Sequence, residues 1–168
     1  INKQNILDPN LAKNNEHLYV SKRLADLYML PIPVYSMTDI LKLHKYLFQD
    51  VYSWAGQYRK VNITKSGNPF MSIQSFSSAE NFINDLLNTD HQKTNTKESI
   101  IKNLAKILDC LNFFHPFREG NGRTQREVIR VLALSKGYKA QIRVSEDDTV
   151  YNTYMDGTVH GDLQKLEL

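Results

Sequence analysis

Apolar positions recur at three- and four-residue spacing along most of this chain and alternate in only one stretch. Ile40, Leu41, Leu47, Phe48 and Val51, with His44 among them, share one face of a helix over Ser36–Val51. Ser36 followed by Asp39 caps its start, and the pattern stops near Trp54-Ala55-Gly56. Val61–Ile73 behaves differently. Val61 and Ile63 alternate with polar residues, Ser66-Gly67-Asn68-Pro69 supplies turn chemistry, and Phe70, Met71 and Ile73 follow, which reads as a β-hairpin or extended flap. Ser77-x-x-Glu80 has the spacing of a capping box and predicts a helix start, with Ala79, Phe82, Ile83 and Leu86 turned inward.

The polar stretch Asn88–Thr96 reads as a loop. Asn95 with Glu98 then opens a strong helix whose stripe is Ile101, Leu104, Leu108 and Leu111, with Ile100 and Ile107 beside it. Pro116 disfavours helical geometry at His115, so this helix ends there. The next runs from about Gly122 to Lys136, offers Val128, Val131, Leu132 and Ala133 to the core, and has Gly137 as its C-terminal cap. Ser145 with Asp148 caps a short helix carrying Tyr151, Tyr154 and Met155, which Gly157 ends. The pattern as a whole predicts an all-α helical bundle with one short hairpin, a single domain over 1–168 without repeats or low-complexity linkers.

Composition narrows the classes. A chain of 168 residues with 41% hydrophobic and 23% charged positions is ordinary for a soluble globular domain. A net charge of +3 suits a small polyanion and is too low to argue for direct nucleic-acid binding. No apolar run approaches the roughly 20 residues of a membrane span, and Ile1–Asn15 lacks the apolar core of a secretory signal. The expected location is therefore the cytoplasm. Cys110 is the one cysteine, which rules out a disulfide framework or a Cys-based zinc site. Its apolar neighbours predict a buried thiol.

The chemistry concentrates in one run, His115-Pro116-Phe117-Arg118-Glu119-Gly120-Asn121-Gly122-Arg123-Thr124-Gln125-Arg126, between two predicted helices. Gly120-Asn121-Gly122 at a helix start points unpaired N–H groups outward, and the helix dipole there favours an anion. A glycine-rich turn accounts equally well for Gly-x-Gly taken alone. The neighbours shift that balance. Arg123 and Arg126, three apart, share a helix face and present forks that match phosphate oxygens. The competing reading pairs Arg123 with Glu127 on a solvated face. Glu119 beside the turn is either a surface acid or a carboxylate ligand for Mg²⁺, which takes one or two carboxylates plus substrate phosphates. His115, with an ordinary pKa of about 6.5, is either a capping histidine or a base. His44 lies on an apolar helix face and reads as structural. Phe117 anchors the loop in the core.

This run resembles the signature of Fic-domain proteins, His-Pro-Phe-x-Asp/Glu-Gly-Asn-Gly-Arg-x-x-Arg, and matches it throughout. His44-x-x-Leu47-Phe48-x-Asp50-Val51-Tyr52-x-Trp54-Ala55-Gly56, then Arg59, the stretch Val61–Ile73 and the late Gly161-Asp162-x-x-x-Leu166 are also similar to the family, so the resemblance runs from about Ser36 to the end. It implies the Fic fold and the transfer of AMP from ATP, as co-substrate, to a Tyr, Thr or Ser hydroxyl of a target protein. His115 would be the base and Glu119 the Mg²⁺ ligand. Asn121 and the amides from Gly120 through Gly122 to Arg123 would cradle phosphates. Arg123 would hold the β-phosphate and Arg126 the γ-phosphate. Val61, Asn62, Ile63, Thr64, Lys65, Phe70 and Met71 would form the flap that docks the target as an added strand.

Two departures stand out. Val128 replaces the aromatic residue many relatives carry, and no segment matches the inhibitory Ser/Thr-x-x-x-Glu-Gly/Asn helix. Thr94-x-x-x-Glu98 comes nearest, but Ser99 follows. A separate small helical antitoxin supplying a glutamate to Arg126 is therefore the expected partner of a toxin-like bacterial enzyme, the competing reading being that a flanking segment supplies that helix in cis. Two other readings stay open: a Fic-fold transferase of UMP, phosphocholine or phosphate, and a nucleotide-binding module without catalysis.

Overall fold

In the computed structural model, which describes residues 2–65, 67–93, 96–140 and positions 142, 153, 157 and 164, five α-helices carry the described residues. The first, α1 (Pro9–Met29), is the element the periodicity missed. Its start signal is present. Asp8 accepts from the Leu11 N–H at 2.8 Å and Pro9 takes the first helical position. Its stripe is too sparse to register, because only Val20 and Leu27 are buried while Leu11, Leu18 and Tyr28 stay exposed. Bonds to other elements hold it instead. Arg23 forks onto Asp50 at 2.7 and 3.1 Å, and Arg130 Nη2 donates to the Leu27 carbonyl at 2.9 Å.

The helix α2 (Met37–Phe48) buries Ile40, His44, Leu47 and Phe48 as the pattern predicts, but Leu43 is buried as well and Leu41 is only half-buried. Its cap differs. Asp39 accepts from Ser36 Oγ and the Tyr35 N–H, both at 3.1 Å, while Asn84 of a later helix accepts the Met37 N–H at 2.7 Å. The flap is shorter than Val61–Ile73. Its strands β1 (Thr64–Lys65) and β2 (Asn68–Pro69) pair antiparallel, Thr64 opposite Pro69 and Lys65 opposite Asn68. Phe70 N–H extends the hairpin to the Ile63 carbonyl at 3.2 Å, and Gly67 takes a left-handed φ of +83° in the turn.

Five local expectations differ from the structure. Ser77 and Glu80 make no capping box. A 3-10 turn, Ile73–Ser75, runs directly into α3 (Phe76–Lys93), and Glu80 instead accepts from the Tyr58 hydroxyl at 3.1 Å. Phe82 faces out, 49% exposed, beneath the Lys106 ammonium. The polar segment from Asn88 stays helical to Lys93, because buried Asp90 accepts from Asn103 at 2.9 Å and ties the two helices together. The next helix, α4 (Lys97–Phe114), is capped by Thr96 with Ser99 rather than by Asn95 with Glu98. Cys110 is half-buried rather than buried, and that burial pushes its thiol pKa up.

Helix α5 (Asn121–Ser135) follows, with Gly137 just beyond at φ +81°. Val128 is fully buried on it, so the aromatic departure is absorbed by packing. The predicted helix over Ser145–Gly157 and the segment from Gly161 lie outside the described residues except at Thr153, Gly157 and Gln164, which are helical; Gly157, expected to end a helix, is thus helical itself, and it is buried.

The junction that positions the rest is Arg59, only 4% exposed. Its Nε donates to the His115 carbonyl at 2.8 Å, Nη1 to Val61 at 2.6 Å, and Nη2 to Met71 and, at 3.5 Å, to Phe114. Its own N–H donates to Pro116 at 2.8 Å, and its guanidinium rests on the Phe76 ring at 4.8 Å. Both ends of the flap are thereby fastened to the end of α4. Arg59→Met keeps the stem and removes every guanidinium donor, leaving buried carbonyls unpaired. It should cost about 3 kcal/mol, read as a lower urea midpoint at unchanged slope. A cost under about 1 kcal/mol would show that water takes over those carbonyls.

Candidate nucleotide site

Helix α4 ends where Pro116 forbids another turn, and His115 takes a left-handed backbone, φ 45° and ψ 59°. That swings its side chain away from the helix and under the flap, where the imidazole stacks on Phe70 with ring centres 3.8 Å apart. Its Nδ1 faces the Asn112 carbonyl at 3.3 Å. A carbonyl only accepts, so Nδ1 carries the proton and Nε2 keeps its lone pair. Burial, with Arg59 and Lys65 nearby, lowers the His115 pKa to about 4, so the ring is neutral at pH 7.

The following loop is braced from inside. His44, fully buried, accepts the Gly56 N–H on Nδ1 at 2.9 Å. Its Nε2 must then carry the proton, and it donates to the Glu119 carbonyl at 3.0 Å. The ring stacks on Phe117 at 3.7 Å. The sequence placed no polar partner near His44, yet folding makes it a prop of the loop. Asn121 closes the loop on itself, since its Oδ1 accepts from Phe117 N–H at 2.9 Å and its Nδ2 donates to the Phe117 carbonyl at 2.8 Å. The Asn121 side chain is therefore committed to the loop, and only its backbone is available to a ligand.

Gly120 sits at φ +82°, and a Cβ there would overlap the Phe48 ring. Gly122 is helical, and a Cβ there would meet only Arg126 Nη1, at 3.4 Å. Gly120 is thus required by the fold, whereas Gly122 leaves room beside an arginine. No side chain caps α5, so its first amides have no intrahelical acceptor.

Around this helix start the structure gathers the predicted groups. Glu119 is exposed at the mouth, its Oε1 accepting from the Gly120 N–H at 3.3 Å. Arg123 does not pair with Glu127, which holds Arg130 at 2.6 and 2.8 Å. It pairs instead with Glu16 of α1, its guanidinium lying over the Phe48 ring at 4.8 Å. Among the described residues no carboxylate pairs Arg126. On the flap, Val61, Asn62, Thr64 and Lys65 are exposed, and Ile63, Phe70 and Met71 are half-buried. Glu16 and its hydroxyl partner Tyr52 are the site neighbours that sequence reasoning missed. The Asp8-Pro9 start reveals the helix that carries Glu16, but no local signal reveals its pairing with Arg123, 107 residues away.

Fold and site together define a helical bundle with a flap over a neutral histidine, beside an uncapped, arginine-flanked helix start. The family model described as Fic/DOC matches residues 34–133, and the chain belongs to that family. A protein of Sinorhizobium fredii named "Probable protein adenylyltransferase y4lH" is 35% identical over 140 residues, 82% of this chain and 72% of its own length. The Escherichia coli K12 protein named "Probable protein adenylyltransferase Fic" is 27% identical over 168 residues, covering 99% and 83%. Among solved structures, the N-terminal Fic domain of a VirB-translocated effector from Bartonella sp. AR 15-3 superposes with a TM-score of 0.87 at 21% identity, covering 99% of this chain and 83% of that one. BepC of Bartonella tribocorum with bound AMPPNP gives 0.83 at 20%, covering 99% and 88%. The all-α fold with its hairpin is theirs.

Two predictions follow from the geometry. Gly120→Ala should destabilise the chain by at least about 2 kcal/mol through the positive φ and the Phe48 overlap, while Gly122→Ala stays within about 1 kcal/mol. Equal costs in chemical denaturation would contradict the assignment. Second, burial also lowers the His44 pKa to about 4. Both imidazoles hold a proton less tightly folded than unfolded, so unfolding takes up protons below about pH 6.5. Stability is full above that value and falls as pH drops toward 4, with His44 alone accounting for about 2 kcal/mol by pH 5. A melting temperature that does not fall between pH 7 and 5 would rule this out.

Proposed function

We propose that this chain is a protein adenylyltransferase that moves AMP from ATP to a Tyr, Thr or Ser hydroxyl of a target protein and releases pyrophosphate. The observation that carries the reading is the unprotonated Nε2 of His115 under the flap, next to the uncapped start of α5. Nε2 takes the hydroxyl proton as that oxygen attacks the α-phosphorus. The bond to the bridging oxygen breaks, and pyrophosphate leaves with its electron pair. The chain's contribution is positioning and charge, as in phosphoryl transfer generally. The open amides of Asn121, Gly122 and Arg123 receive phosphate oxygens, Arg123 serves the β-phosphate and Arg126 the γ-phosphate. Asn121 shapes the nest through its bond to Phe117 rather than through its amide group.

Glu119, an exposed carboxylate beside the open amides, would hold a Mg²⁺ ion, which would neutralise phosphate charge during transfer. Among the described residues no group of three or more His, Cys, Asp or Glu could hold a metal by itself. The exposed hairpin edge at Val61–Lys65 receives the target as an added strand, bringing its hydroxyl toward Phe70 and His115. Control comes from a small helical antitoxin that places a glutamate against Arg126, which no carboxylate among the described residues pairs. No described helix is long and apolar enough to cross a membrane.

Purified chain incubated with ATP and a bacterial lysate should transfer the α-label and not the γ-label. His115→Ala should lose about 10²–10⁴-fold in transfer while ATP affinity stays close to wild type, since the base acts on the target hydroxyl. Transfer of the γ-label would make the chain a kinase, and ATP binding without any transfer would make it a binding module. Loss of ATP affinity as large as the loss of rate would remove His115 from the role of base.

A further inference from the structure

One carboxylate and a ring define where Arg123 points. Its Nη2 donates to Glu16 Oε1, the other oxygen of that carboxylate accepts from the Tyr52 hydroxyl, and the guanidinium face lies on Phe48 at 4.8 Å. Tyr52 is held in turn by stacking on Trp54 at 4.3 Å. Burial and the Glu16 carboxylate both push the Tyr52 phenol pKa up, so the hydroxyl stays a donor. The side chains of Arg123 and Glu16 are only 26% and 14% exposed.

We infer that Glu16 is a positioning residue for Arg123, aiming the guanidinium at the phosphates through a Tyr52–Glu16–Arg123 chain; this rests on the nucleotide reading above. A rival arrangement would have Glu16 compete with phosphate and α1 withdraw. The surroundings of α1 oppose that. Glu16 lies in mid-helix, not at a mobile end. The helix and the segment before it are fastened by Arg23 on Asp50 at 2.7 Å, by Arg130 on the Leu27 carbonyl at 2.9 Å and by Lys3 N–H on the Val51 carbonyl at 2.7 Å. Glu16 also engages a single nitrogen of a group with five N–H donors, which leaves the others for an anion. Fixing a long side chain before the ligand arrives removes the entropy cost of ordering it on binding.

The test is calorimetric titration of the full chain with ATP, ADP and AMP, alongside thermal melting. Glu16→Gln keeps the shape and removes the charge. It should weaken ATP and ADP about tenfold, by analogy with partners that orient a ligating side chain, and leave AMP within about twofold because AMP has no β-phosphate. Tyr52→Phe, which keeps the ring stack, should show the same selectivity with a milder loss of about threefold. In an Arg123→Ala background, Glu16→Gln should add no further loss, because its effect runs through that arginine. Tighter ATP binding by Glu16→Gln would make Glu16 a competitor and overturn the assignment. A loss shared equally by AMP, or undiminished without Arg123, or matched by a drop in melting temperature, would also overturn it. Each of those outcomes leaves the nucleotide site standing, whereas a wild-type chain that binds none of the three nucleotides removes both readings.

Discussion

The carbonyl oxygens at the end of α4 have no further helical turn to bond to, because Pro116 stops the helix and His115 turns left-handed. They lie in partly to fully buried surroundings, where an unmade hydrogen bond is costly. Arg59 answers this with one buried guanidinium that donates to His115, Phe114, Val61 and Met71, while its backbone donates to Pro116. The flap is thereby held against the histidine by this side chain together with one backbone bond, from the Met71 N–H to the Phe113 carbonyl at 3.1 Å. Phe70 stacks on His115 with Met71 and Val61 tied to the same fork as the His115 carbonyl.

A second set of constraints makes the loop after His115 rigid before anything binds. His44 props the Glu119 carbonyl, Asn121 staples Phe117, and Phe48 lies against Gly120 while carrying Arg123. His44 and Asn121 direct their hydrogen bonds to the protein, and what remains open is the set of amides at the start of α5. Catalysis by positioned charge depends on such donors being fixed in advance, since reorganising them during the reaction would raise the barrier. The neutral state of both imidazoles belongs to the same design. Burial that removes water from the loop also removes the solvation a charged ring would need.

Membership of the Fic/DOC family and the adenylyltransferase names of its relatives place this geometry in a transferase context. Within that context the two arginines are not equivalent. Arg123 is held by Glu16 and seated on an aromatic ring, whereas Arg126 has no carboxylate partner among the described residues. The first is a fixed fork in the site. The second carries no such restraint among the described residues.

The sequence by itself determined the helix faces of α2, α4 and α5, the break at Pro116, the hairpin turn at Gly67 and the full His115–Arg126 run. Those features are local. Periodicity, proline sterics and contiguous chemistry act over a few residues and are readable in order. Tertiary structure decided what depends on distant partners. Asp90 keeps the polar end of α3 helical because Asn103 waits across the interface, and Glu80 leaves its cap for Tyr58. His44 looked like an inert core residue until folding set it under Glu119, 75 positions away. Glu16 reaches Arg123 from a helix whose apolar stripe is too thin to announce itself. Long-range hydrogen bonds and ion pairs leave no periodic trace in the chain, so these partners became visible only once the backbone had brought them together.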